Sequence, residues 1–386
     1  TGNLRRLLAD TQIILIPNAN PDGRDLKRRS NAHGANLNVD FVLANEPETL
    51  ALKQAVRRYA PDVVLDSHES AILKRKTLAR EGYLTDFQAQ VEVANHPAMP
   101  AAMQAYQRGL LTQWLATIRA QQLVATHYVG EITSIQQPLT HGGLTLRNFR
   151  NAAGMTGALS FLLETRLDAP ADHYSTYRNI GSRVTKQMIC LRAFLTLMHA
   201  HRADITRQVE ANRAAFKNTR VVLFARYVAD VAHPQTSVPL RRIATGERVS
   251  VVFRDHRQIQ LADAITRPAA YVVTAHLREM SELLARHDIQ YSVITAQQSI
   301  AVTASRFALS PAALSRAQLL SANPKTLLAP SGALTIDLNQ TNGRLAVVLL
   351  DPRSPSSVFR AEPFASWVQP EQEFFIYARV DHAAKS

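Results

Sequence analysis

Residues 62–70, DVVLDSHES, run an apolar stretch into His68, which sits between the carboxylates Asp66 and Glu69. A second apolar run, GALSFLLETR at 157–166, ends in Glu164, Thr165 and Arg166. A third, TQIILI at 11–16, leads into the polar turn from Asn18 to Gly23. In α/β sheets ligands bind in the crevice beyond the carboxyl ends of strands. An imidazole after one strand and a carboxylate after another, facing one crevice, are the residue types of a metal ligand and a general base. Either one alone is a weak signal, because a strand-end histidine is more often a hydrogen-bonded structural residue.

Elements that would position these groups alternate along the first part of the chain. The run 11–16 reads as a buried strand, broken by PNANPDGRD. Residues 46–59 have helical spacing, with acids at the front and arginines at the end, as a helix dipole favours. The strand at 60–68 follows, then an amphipathic helix over 100–121, a short strand LVATHYV, the strand ending in Glu164, and one long helix or two from 174 to 205. Strands alternating with helices long enough to cross over predict an α/β layer with a mixed, largely parallel sheet flanked by helices. After residue 218 short β-type runs (TRVVLFARYVA, ERVSVVFRD, AAYVVTA, QYSVIT, RLAVVLLD) alternate with turns around one helix, LREMSELLARH. The division predicted is 1–217 for the site-bearing domain and 218–386 for a smaller β-rich or α+β accessory domain, the two packed together.

Composition narrows the partners. The chain has 386 residues, 46% hydrophobic and 19% charged, ordinary for a globular protein. No window approaches the roughly 18 uninterrupted apolar residues of a membrane span. The net charge is +13, from 44 Lys and Arg, but these are spread out, with no tract longer than LKRRS or LKRKT and no zinc-finger or RNA-binding signature. The reading is no nucleic-acid partner; the rival, a basic nucleic-acid binder, predicts binding that weakens steeply with salt. The one cysteine, Cys190, lies in an apolar run and reads as a buried core thiol. Oligomeric state is left open.

The segment 16–41, IPNANPDGRDLKRRSNAHGANLNVDF, changes the weight of the strand-end groups. Asn20-Pro21-Asp22-Gly23, Arg29, Asn31, Gly34, Leu37-Asn38, Asp40, Pro47-Glu48, Asp66-Ser67-His68-Glu69 and the run RNAAGMTGALSFLLETR follow in an order and spacing that resemble the zinc carboxypeptidases (M14 peptidases), in particular their bacterial branch. The resemblance covers about residues 1–200. It implies a zinc ion ligated by His68, with Asp66 or a backbone carbonyl on the other ring nitrogen, and Glu164 as the base that takes a proton from zinc-bound water. It implies Arg29, with Arg28 as its rival, beside the developing oxyanion, and Asn38 on the substrate's terminal carboxylate. Tyr128 is a candidate hydroxyl lining the cleft. The implied partner is a peptide or peptide-like substrate. The implied location, periplasmic or secreted, is an expectation from the same resemblance.

Two departures stand out. The family's first two zinc ligands come from an HxxE stretch upstream of the NPDG loop, and this chain opens only about ten residues before that loop's strand. The resemblance therefore implies an N-terminal part outside this chain, an incomplete zinc site within it, and an exposed apolar sheet edge at 11–16. His276 and Glu279 form an HxxE, but on the far side of every other motif, where a surface helix explains them. The second departure is Val39, where the family commonly carries an arginine clamp; valine cannot form a bidentate ion pair. Either other residues substitute, Arg150 and Asn151 being the expected ones with Arg147 in the same Gly-rich loop, or the substrate has no free C-terminal carboxylate, or activity is lost. Two functions follow: a zinc-dependent carboxypeptidase, or a catalytically impaired carboxypeptidase-like protein that binds a peptide or glycan.

Overall fold

The structure, a computed structural model, describes residues 7–71, 77–167, 180–216, 220–309 and 317–379. Early in the chain a five-residue helix α1 (Pro21–Asp25) precedes α2 (Pro47–Tyr59), which starts with proline at its first position and Glu48 in its first turn and ends at Arg57 and Arg58. The layer behind the site is a four-stranded sheet of β1 (Val63–Ser70), β5 (Leu159–Arg166), β3 (Ala89–Val93) and β4 (Ala125–His127), in that spatial order. β1 runs parallel to β5 and β4 parallel to β3, while β3 and β5 are antiparallel. β5 is central, and seven of its eight residues are buried, which explains why its sequence is a continuous apolar run rather than an alternating one.

Helices α3 (Ala101–Ala120), α5 (Ile180–Ala200) and α6 (Arg202–Ala215) cover one side. α3 buries Met103, Leu110, Leu111, Trp114, Leu115 and Ile118, the three-and-four spacing of one helical face. Trp114 is fully buried, packs edge-on to Phe161 of β5 and tilts against Phe194 of α5, and its indole N–H donates to the Cys190 carbonyl at 3.0 Å. Cys190 is the buried core thiol expected, its pKa pushed up to about 12 by burial.

The remaining structure is β-rich. β2 (Tyr83–Thr85), β7 (Gln235–Arg242) and β8 (Arg248–Arg254) form a three-stranded sheet, and β6 (Arg220–Val228) pairs with β9 (Gln258–Thr266). A six-stranded antiparallel sheet takes β10 (Ala270–Val273), β11 (Ser292–Val293), β12 (Gln298–Leu309), β13 (Ala317–Ala329), β14 (Leu334–Asp337) and β15 (Ile376–Arg379). Helix α7 (Leu277–Arg286) lies where LREMSELLARH predicted it. The change of texture at 218 is not a change of core. β2 belongs to a sheet with β7 and β8, and a single apolar cluster runs from Val42 through Phe161 to Val348 and Ile376.

Two segments differ from expectation. Residues 11–16 form no strand; Ile13, Ile14, Leu15 and Ile16 are 40–79% exposed. A strand is a pairing, and β-type residues without a partner do not make one. The exposed apolar run is therefore present, but not as an edge of the sheet. The run RLAVVLLD is helix α8 (Gly343–Leu350), buried on all sides except at Leu345, so no amphipathic period marks it. A Cβ on Gly343 would lie 1.9 Å from the Leu338 carbonyl oxygen, so only glycine fits where α8 begins. Arg344 donates to the Ala98 carbonyl and to the Ala215 and Phe216 carbonyls at the end of α6, supplying donors that a helix C-terminus lacks.

Candidate active-site cleft

The parallel register of β1 and β5 sets His68 opposite Glu164. Registered neighbours in adjacent strands point to the same face, so the imidazole and the carboxylate emerge side by side. They line a cleft of about 320 Å³ together with Arg29, Asn38, Gln90 and Tyr128. Gln90 reaches it because β3 places it opposite Glu164 in the antiparallel register.

His68 is held through its ring and its backbone. Its Nε2 bonds Asp66 Oδ1 at 2.8 Å, two residues back on the same strand face. Gln187 of α5 donates to the His68 carbonyl at 3.0 Å and to Thr165 Oγ1 at 2.8 Å, tying the ends of β1 and β5 together. Arg183 of α5 pairs with Glu69 at 2.6 Å. Burial opposes a charged ring at His68. The Asp66 carboxylate, by charge and hydrogen bond, and the Glu164 charge outweigh it, while Arg29 acts the other way; the pKa rises to about 9. The phenol of Tyr128 is pushed up to about 12, first by burial and then by the Glu164 charge.

Most of the motif residues between 20 and 48 build the loop rather than face the cleft. The Asn20 side chain accepts from Gly23 N at 2.9 Å and donates to the Arg29 carbonyl at 3.1 Å. Gly23 is required: a Cβ there would come within 2.3 Å of Asn20 Nδ2 and 2.8 Å of the Arg28 carbonyl. Asn31, 1% exposed, donates to Glu46 at 2.7 Å and Glu48 at 3.2 Å. Asp40 accepts from the backbone N–H groups of Asn45 and Glu46. Arg28 spends its guanidinium on the carbonyls of Ser30, Asn31 and Ala32. Of the two candidate arginines, Arg29 is the one at the cleft. Asn38 Oδ1 accepts from Phe149 N at 3.4 Å, linking the loop to helix α4 (Phe149–Gly154).

Arg150 and Asn151 require a correction: neither lines the cleft. Arg150 is 3% exposed and donates to Asn95 Oδ1 at 3.0 Å and the Gly143 carbonyl at 3.3 Å. Asn151 is fully buried; it donates to the carbonyls of Gly143 and Thr145 and accepts from Asn95 N. Of the Gly-Gly turn at 142–143, the Gly143 carbonyl takes its donors from these two side chains and the Gly142 carbonyl from Asn95 and Tyr227. Gly142 allows this approach, since a Cβ would lie 2.7 Å from Arg150 Nη1. Arg147 is exposed. His276 and Glu279 do not line the cleft: His276 precedes α7 and stacks on Trp367 at 3.9 Å, and Glu279 pairs with Arg278.

A catalytic zinc takes three protein ligands and an open position. The cleft offers one imidazole, already bonded to Asp66, with Glu164 beside it, and no third donor converges there among the described residues. The His68 surroundings as described do not fit a zinc ion. One group of three does converge elsewhere: Glu92, His127 and His141 bring one ligand atom each within 4.8 Å of one another. The sequence reading missed it. Glu92 lies in AQVEV, an acid between valines in a strand buried along its length; a buried acid needs partners, and that was the available signal.

No protein-family model matches the chain. It is 20% identical to Carboxypeptidase 2 of Trichophyton equinum, over 91% of this chain and 66% of that protein, and likewise to that of Trichophyton rubrum. It is 25% identical to the probable carboxypeptidase 2 of Arthroderma benhamiae over 48% of this chain and 35% of the other. Two solved structures overlap it at 21% identity and a TM-score of 0.34. They are a metallo-carboxypeptidase from Burkholderia cenocepacia, covering 48% of this chain and 44% of that one, and a carboxypeptidase A-like protein from Shewanella denitrificans, covering 50% and 46%. The chain thus has distant similarity to carboxypeptidases, and it spans 66% of the length of the fungal relatives it matches over most of its own length.

Proposed function

We propose that this chain is a carboxypeptidase-type hydrolase that cleaves a terminal peptide or peptide-like amide bond at the rim of β1 and β5. The observation that supports it is the His68–Glu164 register pair opening into a cleft with Arg29 and Asn38. In this reading Glu164 takes a proton from the attacking water and returns it to the leaving amine. The Arg29 guanidinium stands beside the oxygen where negative charge develops. Asn38 holds the chain end of the substrate, and Asp66 fixes the ring of His68. Zinc is the ion the reading calls for. Because the described residues around His68 do not supply its ligand set, no step here is routed through it.

A second reading has its own support. Val39 stands, 39% exposed, where a carboxylate clamp is expected, and the ligand set at His68 is incomplete among the described residues. Both facts suit a cleft that binds peptide or glycan without cleaving it. Release of C-terminal residues from a peptide mixture, measured for the wild type and for Glu164→Gln, separates the two. Hydrolysis that falls by roughly 10²–10⁴-fold in the variant, with peptide binding kept, supports the hydrolase. A wild type that binds peptide and releases nothing supports the binding protein.

A further inference from the structure

Glu92, on β3, is nearly buried, its side chain 2% exposed. His127 Nε2, at the end of β4, lies 2.6 Å from Glu92 Oε1, and His141 Nδ1, on the loop after it, lies 4.0 Å from Oε2. The two imidazoles overlap with centroids 3.6 Å apart and planes 27° apart. The carboxylate is itself positioned: Val93 N donates to Oε1 at 2.9 Å and Gly142 N to Oε2 at 3.2 Å. Two histidines and a glutamate are a donor set found in catalytic zinc sites. We propose that Glu92, His127 and His141 bind a divalent transition-metal ion of the zinc type, at a centre distinct from the His68–Glu164 cleft.

The spacing is that of a site closed up on itself. Two ligand atoms at about 2.0–2.2 Å from a tetrahedral ion lie about 3.3 Å apart. The His127–Glu92 separation of 2.6 Å is shorter than that, so an ion entering there opens this contact. In the bare protein the short His127–Glu92 hydrogen bond holds the place the ion takes. His141 Nδ1 also donates to the Tyr128 carbonyl at 2.6 Å, the kind of outer contact that orients a ligating ring and leaves Nε2 as its metal-binding nitrogen. Access is open from one side. The two imidazole side chains are 25% and 15% exposed, and His141 lines a cavity of about 480 Å³ that shares Tyr128, Gly130 and Glu131 with the His68 cleft. Three protein ligands leave a fourth position for water.

The test uses the whole chain, stripped with a chelator and titrated with zinc chloride alone, by calorimetry and by elemental analysis after dialysis. Wild type and His68→Ala should each hold one ion. His127→Ala and His141→Ala should bind at least about tenfold more weakly, by loss of a direct ligand where loss of an outer contact already costs 10–100-fold. Should either variant fold poorly by circular dichroism, His141→Gln and the thermal shift of the wild type replace it: zinc raises the wild-type Tm and not that of His141→Gln. No stoichiometric uptake by the wild type overturns the proposal, leaving the cluster a hydrogen-bonded network. Uptake lost in His68→Ala but kept in His127→Ala and His141→Ala overturns it as well. Glu164→Gln should keep the ion whatever it does to hydrolysis, so the proposal and the hydrolase reading fail separately.

Discussion

The His68–Glu164 rim and the Glu92–His127–His141 cluster hold similar residue types and are built in different ways. At the rim, two parallel strands in register put an imidazole beside a carboxylate on a half-exposed edge, where Arg29 and solvent share the charge. In the cluster, the carboxylate is buried and its oxygens are met by His127, Val93 N and Gly142 N. Burial pushes the Glu92 pKa up, and the His127 charge and hydrogen bond, with Arg150 and His141, more than reverse this, leaving it at about 2. A carboxylate at an open rim is available to exchange protons with a ligand. One enclosed by fixed donors organises structure, or an ion, and resists protonation.

The contrast is sharpest in a pair of substitutions. Glu164→Gln should lower amide hydrolysis by roughly 10²–10⁴-fold and leave peptide affinity in place. Glu92→Ala, which strands His127 and two backbone N–H groups, should cost about 3–5 kcal/mol of stability, read from the denaturant midpoint. The comparison breaks if Glu92→Ala is thermally silent while Glu164→Gln unfolds the chain.

The loop arginines give a smaller version of the same contrast. Arg29→Ala should slow turnover by about 10²-fold, the scale of a lost oxyanion donor, with little change in Tm. Arg28→Ala should cost about 1 kcal/mol of stability through its lost carbonyl contacts and spare turnover. Reversed phenotypes would mean that the loop presents the other arginine.

Acid should expose the buried histidines. Burial holds His96 neutral, its pKa lowered to about 3 from 6.5, and His287 is also pushed down. The unfolded chain takes up these protons below pH 6.5 and the folded chain does not. Stability is therefore full above that pH and falls as the pH drops, for His96 by roughly 1 kcal/mol per pH unit down to about pH 3. His96→Gln should flatten part of that slope in a pH series of denaturation curves; an unchanged slope would show that His96 already titrates in the fold.

How much of this could be read beforehand follows from what each segment packs against. The strand ending in Glu164 was legible because it is central and buried on both faces, and His68 because it closes an apolar strand. Helix α2 announced itself by its acidic start and basic end. The run 11–16 misled because strand propensity says nothing about whether a partner strand is there, and α8 because a helix buried all round shows no period. Arg150 and Asn151 carry the right chemistry for an anion, but both are buried and donate to Asn95 and to the carbonyls of Gly143 and Thr145, a demand set by tertiary folding. The triad escaped notice because its members come from two strands and a loop spread over fifty residues, and only the β3–β4 pairing and the fold of the 141–143 turn bring them together.

The central claim, that His68 and Glu164 share one charged cleft with Arg29, is tested most directly by the pKa of the His68 ring, measured by NMR on metal-free protein. The account predicts a value raised to about 9, falling in Glu164→Gln and rising in Arg29→Ala. A ring that titrates near 6.5 and ignores both substitutions would contradict it.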